Sequence, residues 1–502
     1  MSHAELTENT RASSLDVSPD EIDRISTEVS RLVREYFTDI ETLPVFPRAD
    51  GGTTVSFVGT ELTEDGETID KLLGDCRTVI QLSRHNGHPR FFGYVASPAT
   101  PIGSYADLIA SALNANVTCW RSSPAATEIE KIVVRWLGSL IGYSDDSRGL
   151  LTSGGSMANM IALFAASRRV LGSDTAATGL WTSGAPLVMY VSEEVHMSVP
   201  KAADILGFGR NQVRVVECDD RMRMSVAALR RSIADDLATG LRPFCVVASA
   251  GTVGTGAVDT LEQIADVAAE FRLWFHVDGA YGAPGALDTR RKELFRGLER
   301  ADSVSLDPHK WLYVPVDAGG LLFRDDEVFR SAFSSQDAEY IKRHGYAADE
   351  AFAFWDYGVE LSRRFRALKI WLTLRYYGVR RIAAAISDDI SLAAYLGELV
   401  EQADDFELMA PVELSICCFR YVPPALTARL RTASESERIA INDELDRLNT
   451  RIMNGVQTGG RAYVSNASIR GRFALRACIT NFRTTRADIK ETLNIIRAAG
   501  LE

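Results

Sequence analysis

Apolar and polar positions alternate along the 502-residue chain in three distinct regimes. The stretch SPDEIDRISTEVSRLVREYF opens with a helix-start signature: Ser18, Pro19 at the first helical position and Glu21 three residues after the serine. Ile22, Ile25, Val29, Leu32 and Val33 then recur at helical spacing, and a second helix is predicted over 68–82. From about Tyr105 to Tyr377, helical stretches alternate with short runs that are apolar on both faces, at 187–191, 213–217, 244–248, 273–277 and 303–306. Such runs are strands buried between helix layers, so the pattern predicts an α/β fold with a mostly parallel central sheet. A helix is predicted over 359–377, with Leu361, Phe365, Leu368 and Leu372 on one face and Gly378 ending it. The remainder reads as a small α+β domain: a strand at 416–421, a helix at 437–455, and a hairpin of strands around Tyr463 and at 473–480. The expected organisation is therefore a flexible tail (1–17), a helical N-terminal segment that packs in a dimer (18–104), a large α/β domain (105–378) and a small C-terminal domain (379–502).

Composition narrows the function classes. Apolar residues make up 46% of the chain, enough for a packed interior. Lys and Arg number 55 against 67 Asp and Glu, without a basic block, which argues against nucleic acid or an anionic membrane as partner. No window approaches 18 uninterrupted apolar residues, so no membrane span is expected. The seven cysteines are odd in number and form no CxxC pair; reduced thiols in a cytoplasmic protein are the expectation. The N-terminus lacks the basic start and apolar middle of a secretory signal. His85 and His88 have no accompanying HExxH or carboxylate cluster, so no metal is expected.

The chemistry lies at strand ends, where open α/β sheets bind ligands. LWFHV runs into Asp278-Gly279-Ala280-Tyr281, SVSL into Asp307-Pro308-His309-Lys310, and FCVVA into Ser249-Ala250-Gly251-Thr252. Leu150-Leu151-Thr152 leads through Ser153-Gly154-Gly155-Ser156 into a helix. Each taken singly is an ordinary turn, cap or solvated lysine. Together they supply a phosphate cradle, a carboxylate and an amine at neighbouring positions, without a Walker loop or a GxGxxG. That set suits pyridoxal 5′-phosphate, whose aldehyde condenses with a lysine, whose ring nitrogen is held protonated by a carboxylate, and whose phosphate anchors it.

HVDGAYG followed by DPHKWL, with Lys310 thirty-two positions after Asp278, resembles the group II pyridoxal-phosphate-dependent amino acid decarboxylases. The resemblance extends from Gly87-His88-Pro89-Arg90-Phe91-Phe92 through CWRSSPAATEIE to Arg363-Arg364-Phe365-Arg366. It implies the type I, aspartate-aminotransferase-like fold and a homodimer with its active site at the subunit interface. Lys310 is then the Schiff-base lysine, Asp278 the partner of the pyridinium, and Ala280 and His196 the residues on the two ring faces. Gly155, Ser156 and His309 would bind phosphate, and Thr252 would reach the ring hydroxyl or the substrate carboxylate. Tyr340, in AEYIKRHGY within a polar stretch over 333–354, resembles the loop tyrosine that returns a proton to the substrate carbon. Decarboxylases carry Tyr at this place and related aldehyde synthases Phe, so amine formation is expected.

Two departures from the family pattern stand out. Asp307 replaces a frequent Asn, and a carboxylate beside a phosphate is repulsive, so Asp307 is expected to cap the turn. Val95-Ala96-Ser97-Pro98 replaces the aromatic and proline of animal aromatic decarboxylases. An aromatic L-amino acid is the favoured substrate, with an acidic or diamino acid, an aldehyde-synthase activity or a catalytically silent paralogue as alternatives.

Overall fold

The computed structural model describes residues 15–47, 49–58, 64–172, 175–180, 184–334, 347 and 350–501. Its strands, in chain order, are β1 (Phe91–Phe92), β2 (Arg148–Thr152), β3 (Leu187–Ser192), β4 (Val213–Val216), β5 (Arg242–Ser249) and β6 (Trp274–Asp278). β7 (Ser303–Leu306), β8 (Gly319–Phe323), β9 (Phe406–Leu408), β10 (Ile416–Tyr421), β11 (Tyr463–Ile469) and β12 (Arg472–Cys478) follow. Seven of them form the central sheet in the order β2-β8-β7-β6-β5-β3-β4, in which β8 alone runs antiparallel to its neighbours. Strands β3, β6, β7 and β8 are buried at every position, as two-sided burial between helices requires.

The helix Gly155–Leu171 packs directly on this sheet because the buried residues it presents are mostly small: Ala158, Ala162, Ala165 and Ala166. Gly319 serves the same close approach. A Cβ there would lie 2.4 Å from the Cα of Gly154, so the backbone entering this helix and the start of β8 touch only because both residues are glycine.

The smaller sheet has the order β1-β11-β12-β10-β9. Its parallel edge, β1, comes from far upstream, pairing Phe91 with Tyr463 and Phe92 with Val464. The end of the N-terminal region thus joins the C-terminal sheet, which two consecutive phenylalanines could not announce. The β11–β12 hairpin turns on Arg470 and Gly471 alone, at φ 50° and 75°. At the N-terminus, Ser18 Oγ accepts the Glu21 N–H at 3.2 Å and caps the helix Pro19–Asp39.

The helix predicted over 359–377 starts later, at Ala367, and runs to Gln402 with a break at Gly378, where φ is 71°. Residues 359–366 are held out of helix by their side chains. Arg363 is buried against Glu130, and Arg366 bridges Asp317 and Glu360. These distant partners outweigh the local helical periodicity.

Candidate active site

Four strand ends and a helix start open onto one cavity of about 770 Å³. Asp278, Ala280, Asp307, His309, Lys310, His196, Thr252, Gly155 and Ser156 all line it. Of the residues singled out in the sequence, only Tyr340 lies outside the described residues.

Asp278 closes β6 and is buried. Its Oδ2 accepts from Asn159 Nδ2 at 2.8 Å, and its Oδ1 accepts from the Ala280 N–H and Ser305 Oγ, both at 3.1 Å. Burial by itself pushes its pKa up. The Lys310 ammonium, the His276 ring and the donated hydrogen bonds more than offset this and hold the carboxyl below its ordinary value. Asp278 is thus kept anionic where an unpaired buried carboxylate would be neutral.

Lys310 sits in the one-turn helix Pro308–Trp311 that follows β7. Its Nζ lies 3.0 Å from Asp307 Oδ2. The expected capping role of Asp307 is therefore corrected: its side chain makes no cap hydrogen bond and turns instead to the lysine. The other oxygen, Oδ1, is buried without a partner. The reason is positional, because Lys310 is three residues on and one helical turn brings its ammonium back over the aspartate.

The helix Gly155–Leu171 begins at the cavity; Met157 and Ala158 donate to the Gly154 carbonyl, which leaves the N–H groups of Gly155 and Ser156 without an intrahelical acceptor. Ser153 and Ser156 are exposed there. A Cβ at Gly155 would lie 2.9 Å from Ala280 Cβ and 3.1 Å from Asp307 Oδ2, so only glycine leaves room at this corner. His309 is held by the backbone of Ala318, whose N–H reaches Nδ1 at 3.1 Å, and burial lowers its pKa. His196 Nδ1 receives the Ser198 N–H at 3.2 Å, and burial lowers its pKa as well. Thr252 is buried, with its hydroxyl 3.0 Å from that of Thr255, so it also secures its own turn.

Three contributors escape a reading of the motifs. Asn159 lies one helical turn after Gly155, so periodicity could have placed it on the cavity side. Arg476 interrupts the apolar strand FALRAC, and a buried arginine is the signal there. It lines the cavity, donating to the carbonyls of Val253 and Tyr94 at 2.8 Å, and its Nη2 has no partner. The β11 edge, Ser465 to Ser468, brings the small domain to the cavity rim, and Tyr94 and Val95 line it as well.

The donors, the amine and the carboxylate fit pyridoxal 5′-phosphate. An anion meets free helix-start amides beside two serines and a histidine, an aldehyde meets Lys310, and a protonated ring nitrogen meets an anionic buried Asp278. Fold and site together define a type I pyridoxal-phosphate enzyme. Residues 53–422 match the family described as "Pyridoxal-dependent decarboxylase conserved domain". An aromatic-L-amino-acid decarboxylase of Bacillus atrophaeus is 33% identical over 489 residues, 97% of each chain. Crystal structures of mouse CSAD (TM-score 0.90, 29% identity, 96% of this chain and 99% of that one) and of Oryza sativa TDC with PLP and tryptamine (TM-score 0.88, 26% identity, 97% and 99%) share the fold. The chain belongs to the pyridoxal-dependent decarboxylase family and is a pyridoxal-phosphate-dependent amino acid decarboxylase. Among the described residues, no helix is long and apolar enough to cross a membrane.

Proposed function

We propose that the protein removes the α-carboxylate of an L-amino acid, an aromatic one being favoured, and releases the amine and CO₂. The observation that carries this reading is the meeting of Lys310, anionic Asp278 and the helix start at Gly155 in one cavity. Bound pyridoxal phosphate supplies the electron sink that accepts the bonding pair when CO₂ leaves. Lys310 Nζ would hold the cofactor through its aldehyde between turnovers. Asp278 keeps a proton on the ring nitrogen, Ala280 leaves room at one ring face, and His196 covers the other. Gly155, Ser156 and His309 hold the phosphate; Thr252 orients the ring hydroxyl or the substrate carboxylate. Tyr340 returns a proton to the substrate carbon, a role that rests on the family resemblance alone.

The unpartnered Nη2 of Arg476 favours a second reading, in which the substrate side chain carries an anionic group. CO₂ release across a panel of L-amino acids decides between the two, and aldehyde with ammonia in place of amine would contradict both. The protein with Lys310→Ala should lose the visible absorbance that wild type develops with added cofactor. Retention of that band overturns the assignment.

A homodimer with its active site at the subunit interface fits the exposed apolar residues Ile22 of the first helix and Leu108, Ile109 and Leu113 of the helix Pro101–Leu113. A cytoplasmic location fits seven free cysteines, four of them buried.

A further inference from the structure

Behind the cavity wall, polar side chains form a continuous chain whose direction is fixed at both ends. Trp274 Nε1, which can only donate, gives to Ser303 Oγ at 2.9 Å. Ser303 Oγ lies 2.8 Å from His276 Nδ1, and its remaining proton points there. His276 Nε2 lies 2.9 Å from Asn159 Oδ1. The amide nitrogen of Asn159 gives one proton to Asp278 Oδ2 at 2.8 Å and the other to Ser198 Oγ at 3.1 Å. Ser198 Oγ lies 2.8 Å from His196 Nδ1.

The orientation of this amide is dictated by its surroundings. Rotated by half a turn, it would set its carbonyl against the Asp278 carboxylate, an acceptor facing an acceptor in a buried site. His276 must then carry its proton on Nε2, which leaves Nδ1 to accept from Ser303; burial, which pushes this imidazole down to about 4, keeps it neutral. At the other end His196 Nδ1 accepts the Ser198 backbone N–H, so its proton also sits on Nε2. His276 and Ser303 are cross-strand partners on β6 and β7, so the sheet register builds the chain. Every member is buried except His196, whose Nδ1 is shared by the Ser198 N–H and hydroxyl; every other link pairs one donor with one acceptor.

We propose that Asn159 is a positioning residue that, through its single amide group, both orients the Asp278 carboxylate toward the cofactor ring and orders the Ser198 hydroxyl that meets the His196 ring. The inference rests on the roles given above to Asp278 and His196. Trp274, Ser303 and His276 form the scaffold that aims the amide. Asn159 thereby ties the carboxylate that serves the ring nitrogen to the imidazole that covers the ring.

The test compares Asn159→Leu with Asp278→Asn in the full-length protein, loaded with pyridoxal phosphate and without substrate. Two quantities are measured: cofactor dissociation constant by tryptophan fluorescence, and pH midpoint of the visible cofactor band. Loss of a hydrogen bond to a buried charge should weaken cofactor binding about 10- to 100-fold in Asn159→Leu and move the midpoint, with far-UV circular dichroism unchanged. Wild-type affinity and an unmoved midpoint in Asn159→Leu, with Asp278→Asn impaired, overturn the role of Asn159 and leave that of Asp278 intact. An unimpaired Asp278→Asn instead removes the reading on which the inference rests. Should Asn159→Leu fail to fold, Ser303→Ala breaks the chain outside the cavity. A moved midpoint in Ser303→Ala supports the proposal, and an unmoved one overturns it.

Discussion

Removal of Glu130 should destabilise the protein more than any surface substitution, and the reason can be worked out group by group. Glu130, in the helix Pro124–Leu140, and Arg363 are a buried ion pair with side-chain exposures of 0% and 1%. Glu130 Oε1 also accepts the Leu151 N–H at 2.8 Å, while Arg363 donates to the carbonyls of Val117 and Leu151 at 2.8 and 2.7 Å. Glu130→Ala leaves a buried guanidinium with only Glu360, 3.9 Å from its Nε, as counter-charge, and a buried N–H without its acceptor. Breaking one side of a buried pair costs about 3–5 kcal/mol, a large share of the roughly 5–15 kcal/mol that stabilises a folded domain. Leu151 precedes the Thr152–Ser153–Gly154 turn, so cofactor content should fall as well. Replacing both partners, Glu130→Leu with Arg363→Met, removes both charges and should cost about 1–3 kcal/mol, chiefly for the orphaned Leu151 N–H. Urea unfolding followed by circular dichroism reads wild type, Glu130→Ala, the double variant and its two singles. A cost below about 1 kcal/mol for Glu130→Ala, or a double variant as unstable as the sum of its singles, refutes the reasoning.

Asp307→Asn removes a buried negative charge beside the expected phosphate and should leave cofactor affinity equal or tighter; a loss beyond about tenfold in a titration would contradict this. Under the anionic-side-chain reading, Arg476→Met should raise KM about 10- to 100-fold without changing cofactor affinity, and an unchanged KM would overturn that reading. Burial raises the Asp389 pKa to about 7, against donors from Tyr313 and Trp311 that lower it. The folded protein thus holds this proton more tightly than the unfolded chain does. The associated stability is complete below about pH 4 and is lost as pH rises through 7. Asp389→Asn, uncharged throughout, should gain in Tm relative to wild type between pH 5 and 8, and a pH-independent difference would refute the shift.

Local sequence was sufficient for most of the central strands and for bringing Lys310, Asp278 and the helix start at Gly155 forward as candidates. Strand 303–306 falls where a two-sided apolar run placed it, because burial between helix layers imposes that pattern residue by residue, and a strand forms at 416–421 as the C-terminal pattern predicts. The lysine, the aspartate and the helix start were legible for a similar reason: each follows directly from a strand or precedes a helix, and its backbone neighbours determine where it points. What stayed hidden depends on partners distant in the chain. Asp307 turns to Lys310 rather than to its own turn, Arg363 breaks a helical pattern to reach Glu130, and β1 pairs with a strand some 370 residues away. Asn159 links Asp278 to His196 through side chains of three separate elements. Periodicity records which face of an element is dry. It carries no information on which buried charge or amide meets which, because packing brings them together only when the two sheets and their helices are assembled.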